Sequence, residues 1–181
     1  MRASFPTGRT LHVEAFSRLG NAPTLLADLQ GRGLSATLLR TDRVASTFVL
    51  LSAAQRALHS SACGKMKTRA VQTEVLFNLS PSTSISHAFR TFGVADDTTD
   101  AVVCMWDPTD EEVRALREAV KGARVEEVGA GGQVAAAIDA MGDAKLAALV
   151  KLYKLKPKEL ELMSAAECIA NILSIRSFKS R

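Results

Sequence analysis

The chain has 181 residues, with 23 Lys and Arg against 19 Asp and Glu and a formal charge of +4. That length is one domain's worth, and 47% hydrophobic with 23% charged residues excludes disordered and fibrous classes. Three scattered cysteines, Cys63, Cys104 and Cys168, exclude a disulfide framework and point to a reducing compartment, and no apolar run approaches the roughly 18 residues of a membrane span.

Met1–Arg9 carries two arginines and no acid, and reads as a mature cytosolic N-terminus, a disordered lead into a single domain over 1–181. Leu11–Phe16 alternates apolar and polar residues, the period of a half-buried strand. Asn21 and Pro23 open a helix with Leu25, Leu26 and Leu29 as its stripe, ended by Gly31 and Gly33. Ser35–Thr41 is a second strand candidate. A helix from about Ala45 to Cys63 carries Val49, Leu50, Ala53, Ala54, Ala57 and Leu58 at helical spacing and stops at Gly64. Thr68 or Thr73 caps the next helix, which ends before Pro81. Ser84 opens a short helix closed by Gly93. Ala101–Trp106 is a continuous apolar run, hence a buried strand.

Thr109 and Glu112 form a capping box for a helix running to Lys121 and Gly122. Arg124–Val128 is the fourth strand candidate. Gly129–Gly132 lacks phosphate-loop spacing and reads as a flexible connection. A helix over Ala144–Tyr153 precedes a longer one from Pro157, apolar at Leu160, Met163, Ala166, Cys168, Ile169, Ile172, Leu173 and Ile175. Such a helix either lies deep in the core or offers a second face to a partner. Four short strands and five to seven helices, irregularly grouped, predict an α+β domain with a small, mostly antiparallel sheet.

Charge is unevenly spread. Residues 1–93 carry a net +7, residues 94–143 a net −8 and residues 144–181 a net +5. Solvated faces and a polyanion-facing side both account for this. Catalytic patterns are missing: His12, His59 and His87 sit in no ligand motif, and no nucleophile elbow occurs. The cysteines read first as buried small hydrophobes. One Trp and one Tyr are too few for a base-stacking platform. A protein that binds, without catalysis, metal or cofactor, is the expectation. Gly64-Lys-Met-Lys-Thr-Arg69, read as a mobile loop before a helix N-terminus, is a phosphate cradle or simply a solvated loop.

The run Gly64-Lys-Met-Lys-Thr-Arg-Ala-Val-Gln-Thr-Glu-Val-Leu-Phe-Asn-Leu-Ser-Pro81, with Ile85-Ser-His-Ala-Phe89, Phe92-Gly-Val94 and Lys151-Leu-Tyr-Lys-Leu155, resembles the TPRKB family, the kinase-binding subunits of the KEOPS (EKC) complex. The resemblance implies a non-catalytic α+β subunit of a complex that makes the threonylcarbamoyl modification of tRNA adenosine. In that family a transferase subunit does the chemistry and binds a small atypical kinase. The subunit resembled here docks on the kinase and helps to hold the 3′ CCA end of tRNA. It further implies kinase contact through Ile169, Ile172 and Leu173, tRNA contact through Lys65, Lys67 and Arg69, and a place in cytoplasm and nucleus, away from membranes. An autonomous RNA-binding protein is the alternative. An enzyme using Cys63 or His59 has only residue type in its favour.

Overall fold

The computed structural model describes residues 1–125 and 132–179, the last three by backbone alone. Among them, five strands form one antiparallel sheet: β1 (Arg2–Ser4), β2 (Thr10–Ser17), β3 (Ala36–Arg40), β4 (Ala101–Trp106) and β5 (Ala123–Arg124). Strand β2 is the spine. Strand β4 runs along one of its edges, from Leu11 opposite Trp106 to Phe16 opposite Ala101, and β3 closes the sheet beyond β4. The other edge of β2 is shared end to end by β1 and β5, against Thr10–His12 and Phe16–Ser17.

The two-residue period divides the sheet into two apolar faces. Leu11, Val13, Ala15, Leu39, Val102, Cys104 and Trp106 pack with α2 (Thr47–Ala62), α3 (Val71–Leu79), α4 (Ile85–Phe92), α6 (Gly132–Asp139), α7 (Asp143–Tyr153) and α9 (Ala165–Lys179). Phe16, Leu38, Val103 and Met105 pack with α1 (Ala22–Gly31) and α5 (Asp110–Ala119). A strand covered on both faces reads as an unbroken apolar run, which is why β4 was legible. Helix α8 (Pro157–Leu162) bridges α7 and α9. The expected α+β domain with an antiparallel sheet is therefore observed, with five strands and nine α-helices among the described residues rather than four and five to seven.

Local chemistry accounts for the element ends. Ser46 Oγ accepts the Val49 N–H at 3.2 Å to open α2. The helix closes on Gly64 at φ +63°, where the Gly64 N–H returns to Ser61 O and the Lys65 N–H to Ser60 O, the paired bonds of a left-handed glycine stop. The Thr109–Glu112 capping box is present, at 3.1 and 2.7 Å. Helix α5 stops at Ala119, short of the expected Lys121, because the Asn21 side chain donates to Ala119 O at 2.8 Å and accepts the Lys121 N–H at 3.0 Å. Asn21 thus joins α1 to α5 instead of capping its own helix.

Other expectations need correction. Residues 1–9 are not a disordered lead: Arg2–Ser4 pairs with β2, and Phe5 packs its ring 5.4 Å from that of Trp106. The long helix from Pro157 is two helices, broken at the extended Met163. There the Ser164 N–H donates to Glu167 at 2.8 Å and Ser164 Oγ accepts the Glu167 N–H at 3.3 Å, a second capping box. Neither Thr68 nor Thr73 caps α3, whose N-cap is Ala70. Helix α6 had no expectation at all. Of the strand candidate at Arg124–Val128, β5 takes Arg124, and residues 126–128 lie outside the described residues. So do residues 129–131 of the Gly129–Gly132 connection, whose last member begins α6.

Candidate interaction surfaces

The Gly64–Arg69 loop is organised from beneath by Glu74, a first-turn residue of α3 that is 1% exposed. Its carboxylate accepts the backbone N–H groups of Lys67 at 3.0 Å and Thr68 at 2.8 Å and the Thr68 hydroxyl at 2.7 Å. The cradle foreseen for an external phosphate is thus already occupied by a carboxylate of the chain itself, which also satisfies the positive end of α3. What the loop offers outward is side-chain charge. Lys65, Lys67 and Arg69 are exposed and alternate with half-buried Met66, Thr68 and Ala70. Among the described residues none of the three cations has an ion-pair partner, so their charge is available to a polyanion.

A second basic surface lies toward the other end of α3, whose nine residues span roughly 13 Å. Here a groove of about 770 Å³ is lined by Arg43, Ser82, His87, Lys151 and Lys154, together with Pro81 and Tyr153. Lys154 ends α7 at φ +56°, a left-handed conformation that costs a non-glycine residue roughly 1–2 kcal/mol. Leu155 folds back beside it, its N–H bonded to Val150 O at 3.0 Å. The groove draws on segments more than a hundred residues apart, so no run of sequence announced it.

The C-terminal carbonyls of α3 seat α9. Arg56 of α2 donates to Asn78 O and Leu173 O, both at 2.6 Å. Arg176 donates to Phe77 O at 2.9 Å and to Ser80 O, with its guanidinium 4.4 Å from the Phe77 ring centroid. The Tyr153 hydroxyl donates to Leu79 O at 2.6 Å, and burial pushes its pKa up, so it stays a protonated donor. Carbonyls that a helix end leaves open are thereby satisfied. This seating fixes where the trio expected to meet a kinase lies. Ile169 and Leu173 are buried in the core, at 0% and 3% exposure; Ile172 is half-buried against it. A helix apolar on two sides sends both of them inward.

Apolar surface is available nearby. Phe48 is 67% exposed and stands at an apolar groove of about 380 Å³ where α9 lies on α2, lined also by Leu51, Gln55, Ala170 and Ser174. Phe48 sits one position before the buried stripe that begins at Val49 and Leu50. That offset was the only signal in the sequence, and the helical pattern absorbed it. Ile175 of α9 is 56% exposed.

Catalytic chemistry is sparse. Cys104 is fully buried and burial pushes its thiol pKa up to about 12; Cys168 is buried and also raised. Cys63, read first as buried, is exposed at the end of α2, its sulfur 3.7 Å from His59 Nε2. Among the described residues no three His, Cys, Asp or Glu side chains gather as a metal set, and no helix is long and apolar enough to cross a membrane.

Comparison with known proteins agrees with the resemblance. The family model for kinase binding protein CGI-121 matches residues 16–177. A zebrafish (Danio rerio) protein named EKC/KEOPS complex subunit TPRKB is 32% identical over 144 residues, covering 80% of this chain and 78% of its own. Proteins named EKC/KEOPS complex subunit cgi121 from Schizosaccharomyces pombe and Aspergillus fumigatus are 34% identical over 136 residues and 29% over 127. They cover 70% and 66% of this chain, and 67% of their own length in both cases. With strands β3, β4 and β5, helices α1 to α8 and most of α9 inside the match, the chain belongs to the CGI-121 family of kinase binding proteins.

Proposed function

We propose that the chain is the kinase-binding subunit of a KEOPS/EKC complex. It docks on the complex's small atypical kinase through the apolar groove between α2 and α9, reaches the transferase subunit only through that kinase, and presents its basic residues to tRNA near the 3′ CCA end. Its role is to bind and position, in cytoplasm and nucleus, while the transferase carries the reaction. The observation that supports the docking face is Phe48, a large apolar side chain left mostly in water beside an apolar groove. Burying such a ring against a partner contributes about 1.5–3 kcal/mol, and aromatic anchors at a groove are typical centres of binding energy.

Phe48→Glu is the direct test, because an exposed position tolerates the change without loss of fold. Retention of the purified kinase in a pull-down is expected to fall at least ~10-fold, with an unaltered thermal unfolding curve. Ile172→Glu is the companion variant. Ile169 and Leu173 are unsuitable, since substitution in the core unfolds the protein and removes every partner at once. Kinase binding unchanged in Phe48→Glu would take the groove out of the interface. Tight tRNA binding with no kinase captured would favour an autonomous RNA-binding protein instead.

A further inference from the structure

The gap that β1 and β5 leave along the outer edge of β2 holds a polar cluster that the binding surfaces above do not use. His12 and Glu14, adjacent on one face of β2, are 6% and 3% exposed and belong to neither apolar cluster. Glu14 accepts from the Arg117 guanidinium through Nε, at 2.9 Å to Oε1 and 3.3 Å to Oε2, and through Nη2, and has Arg124 Nη1 at 4.0 Å. Burial alone would push the Glu14 carboxyl up. Hydrogen bonds from His12 and Arg117, with the charge of Arg117, overcome this and hold its pKa at about 2. Glu14 is therefore an ionised carboxylate that can only accept, so His12 Nε2, 3.1 Å away, must carry the hydrogen between them.

That assignment leaves the other ring nitrogen. His12 Nδ1 is buried and has no hydrogen-bond partner, a state that is costly and rare for a buried polar atom. His12 lines two adjoining hollows. The larger, about 510 Å³, is bounded by Arg2, Asp110, Arg114 and Arg117; the smaller, about 200 Å³, by Glu14, Arg117 and Arg124. Met1 lines both hollows too, its ammonium donating to Val13 O at 2.8 Å, so the charged groups around the ring are that ammonium and four guanidinium groups against two carboxylates. Of these, Asp110 is paired with Arg2 at 3.1 Å and Glu14 with Arg117. The excess is positive, although Arg114, Arg117 and Arg124 come from the strongly acidic segment 94–143.

We propose that the larger hollow binds a phosphate group, held by the guanidinium groups of Arg114 and Arg117 and by His12 Nδ1. Planar guanidinium forks match the oxygens of a phosphate. Nδ1 is either a bare acceptor or, in the imidazolium, a second donor. A phosphate carrying one hydroxyl answers both cases, through P–OH in the first and P–O⁻ in the second. Glu14 takes no part in contact. It orients His12 and Arg117, and in the neutral ring keeps the hydrogen on Nε2. The phosphate is free inorganic phosphate or the end of a phosphate monoester, and the chemistry that recognises it is the same.

The test uses the full chain and the three histidine ring signals in NMR. Titration with inorganic phosphate, and in parallel with adenosine 5′-monophosphate, is expected to move the His12 signals saturably while His59 and His87 stay in place. Tighter binding of the nucleotide assigns the source to a monoester, and tighter binding of the inorganic ion to free phosphate. Arg114 is exposed, so Arg114→Gln keeps the fold and is expected to weaken binding roughly 10-fold or more, the loss of one charge-assisted contact. Arg90→Gln, exposed on α4, is expected to leave it unchanged. No saturable His12 shift at tens of millimolar, equal shifts at all three histidines, or full affinity in Arg114→Gln would each overturn the proposal.

Discussion

Glu14 illustrates how one side chain can hold a sheet edge together electrostatically. Its folded pKa of about 2 lies below the ordinary carboxylate value of 4.5, so its contribution is complete above about pH 4.5 and is lost as the pH falls through 2. The sign follows from linkage, since below 4.5 the unfolded chain binds the proton first. Converted, the shift corresponds to at most about 3 kcal/mol. We expect Glu14→Gln to lower stability at pH 7 by about 2–3 kcal/mol and to flatten the acid limb of a stability–pH curve between about pH 4.5 and 2. Urea unfolding of both proteins from pH 2 to 7 checks it; parallel curves would mean that the Arg117 pair contributes nothing. Glu74 does the same work by hydrogen bonds alone, fixing the backbone of Lys67 and Thr68 so that the loop's cations project outward.

At the scale of elements, the α8–α9 corner carries the most informative break. The capping box at Ser164 and Glu167 ends one helix and starts the next within three residues. Ser164→Ala is expected to cost about 1 kcal/mol, the usual value of an N-cap, and to raise amide exchange in the first turn of α9 more than in α2. Uniform exchange would mean that packing alone sets the start of α9. This break also explains what the sequence concealed. Apolar residues at Leu160, Met163, Ala166 and Ile169 keep helical spacing straight across it, and periodicity outweighed a serine that looked ordinary. Where an end had a distinctive residue at the right offset, as at Gly64, Ser84 and Thr109, the element was legible. That Ile169 and Leu173 face the core was hidden for a related reason. A two-sided apolar helix states that much is buried, but the direction of α9 is set by Arg56 and Arg176 reaching carbonyls of α3, bonds about 20 to 120 residues long in sequence. The basic groove is illegible for the same reason, whereas the Lys65, Lys67 and Arg69 set was contiguous and needed no topology.

For the whole molecule, the sheet separates charge as well as apolar clusters. Acid-rich α5 lies with α1 on one face, and the loop before α3 and the groove beside α7 lie with the other. A polyanion approaching the α3 side therefore meets Lys65, Lys67 and Arg69 at one end of that helix and Arg43, Lys151 and Lys154 toward the other. Two separated clusters bind an extended backbone more tightly than either does alone, and each cation placed on a phosphate releases counterions. Lys65→Glu/Lys67→Glu is expected to weaken tRNA binding and to reduce the slope of log K against log salt by about 1.5–2, and Lys151→Glu/Lys154→Glu by a similar amount. Because all four side chains are exposed, thermal unfolding should stay unchanged in both variants, separating lost contact from lost fold. If the loop variant alone lowers the slope, RNA runs past the loop and not through the groove; if neither does, the α3 side is not the RNA face. The apolar groove proposed for the kinase lies between α2 and α9 and contains one cation, Arg56, already held by two carbonyls. Phe48→Glu should therefore abolish kinase retention while leaving the tRNA salt slope intact, a separation expected only when one molecule carries two independent faces.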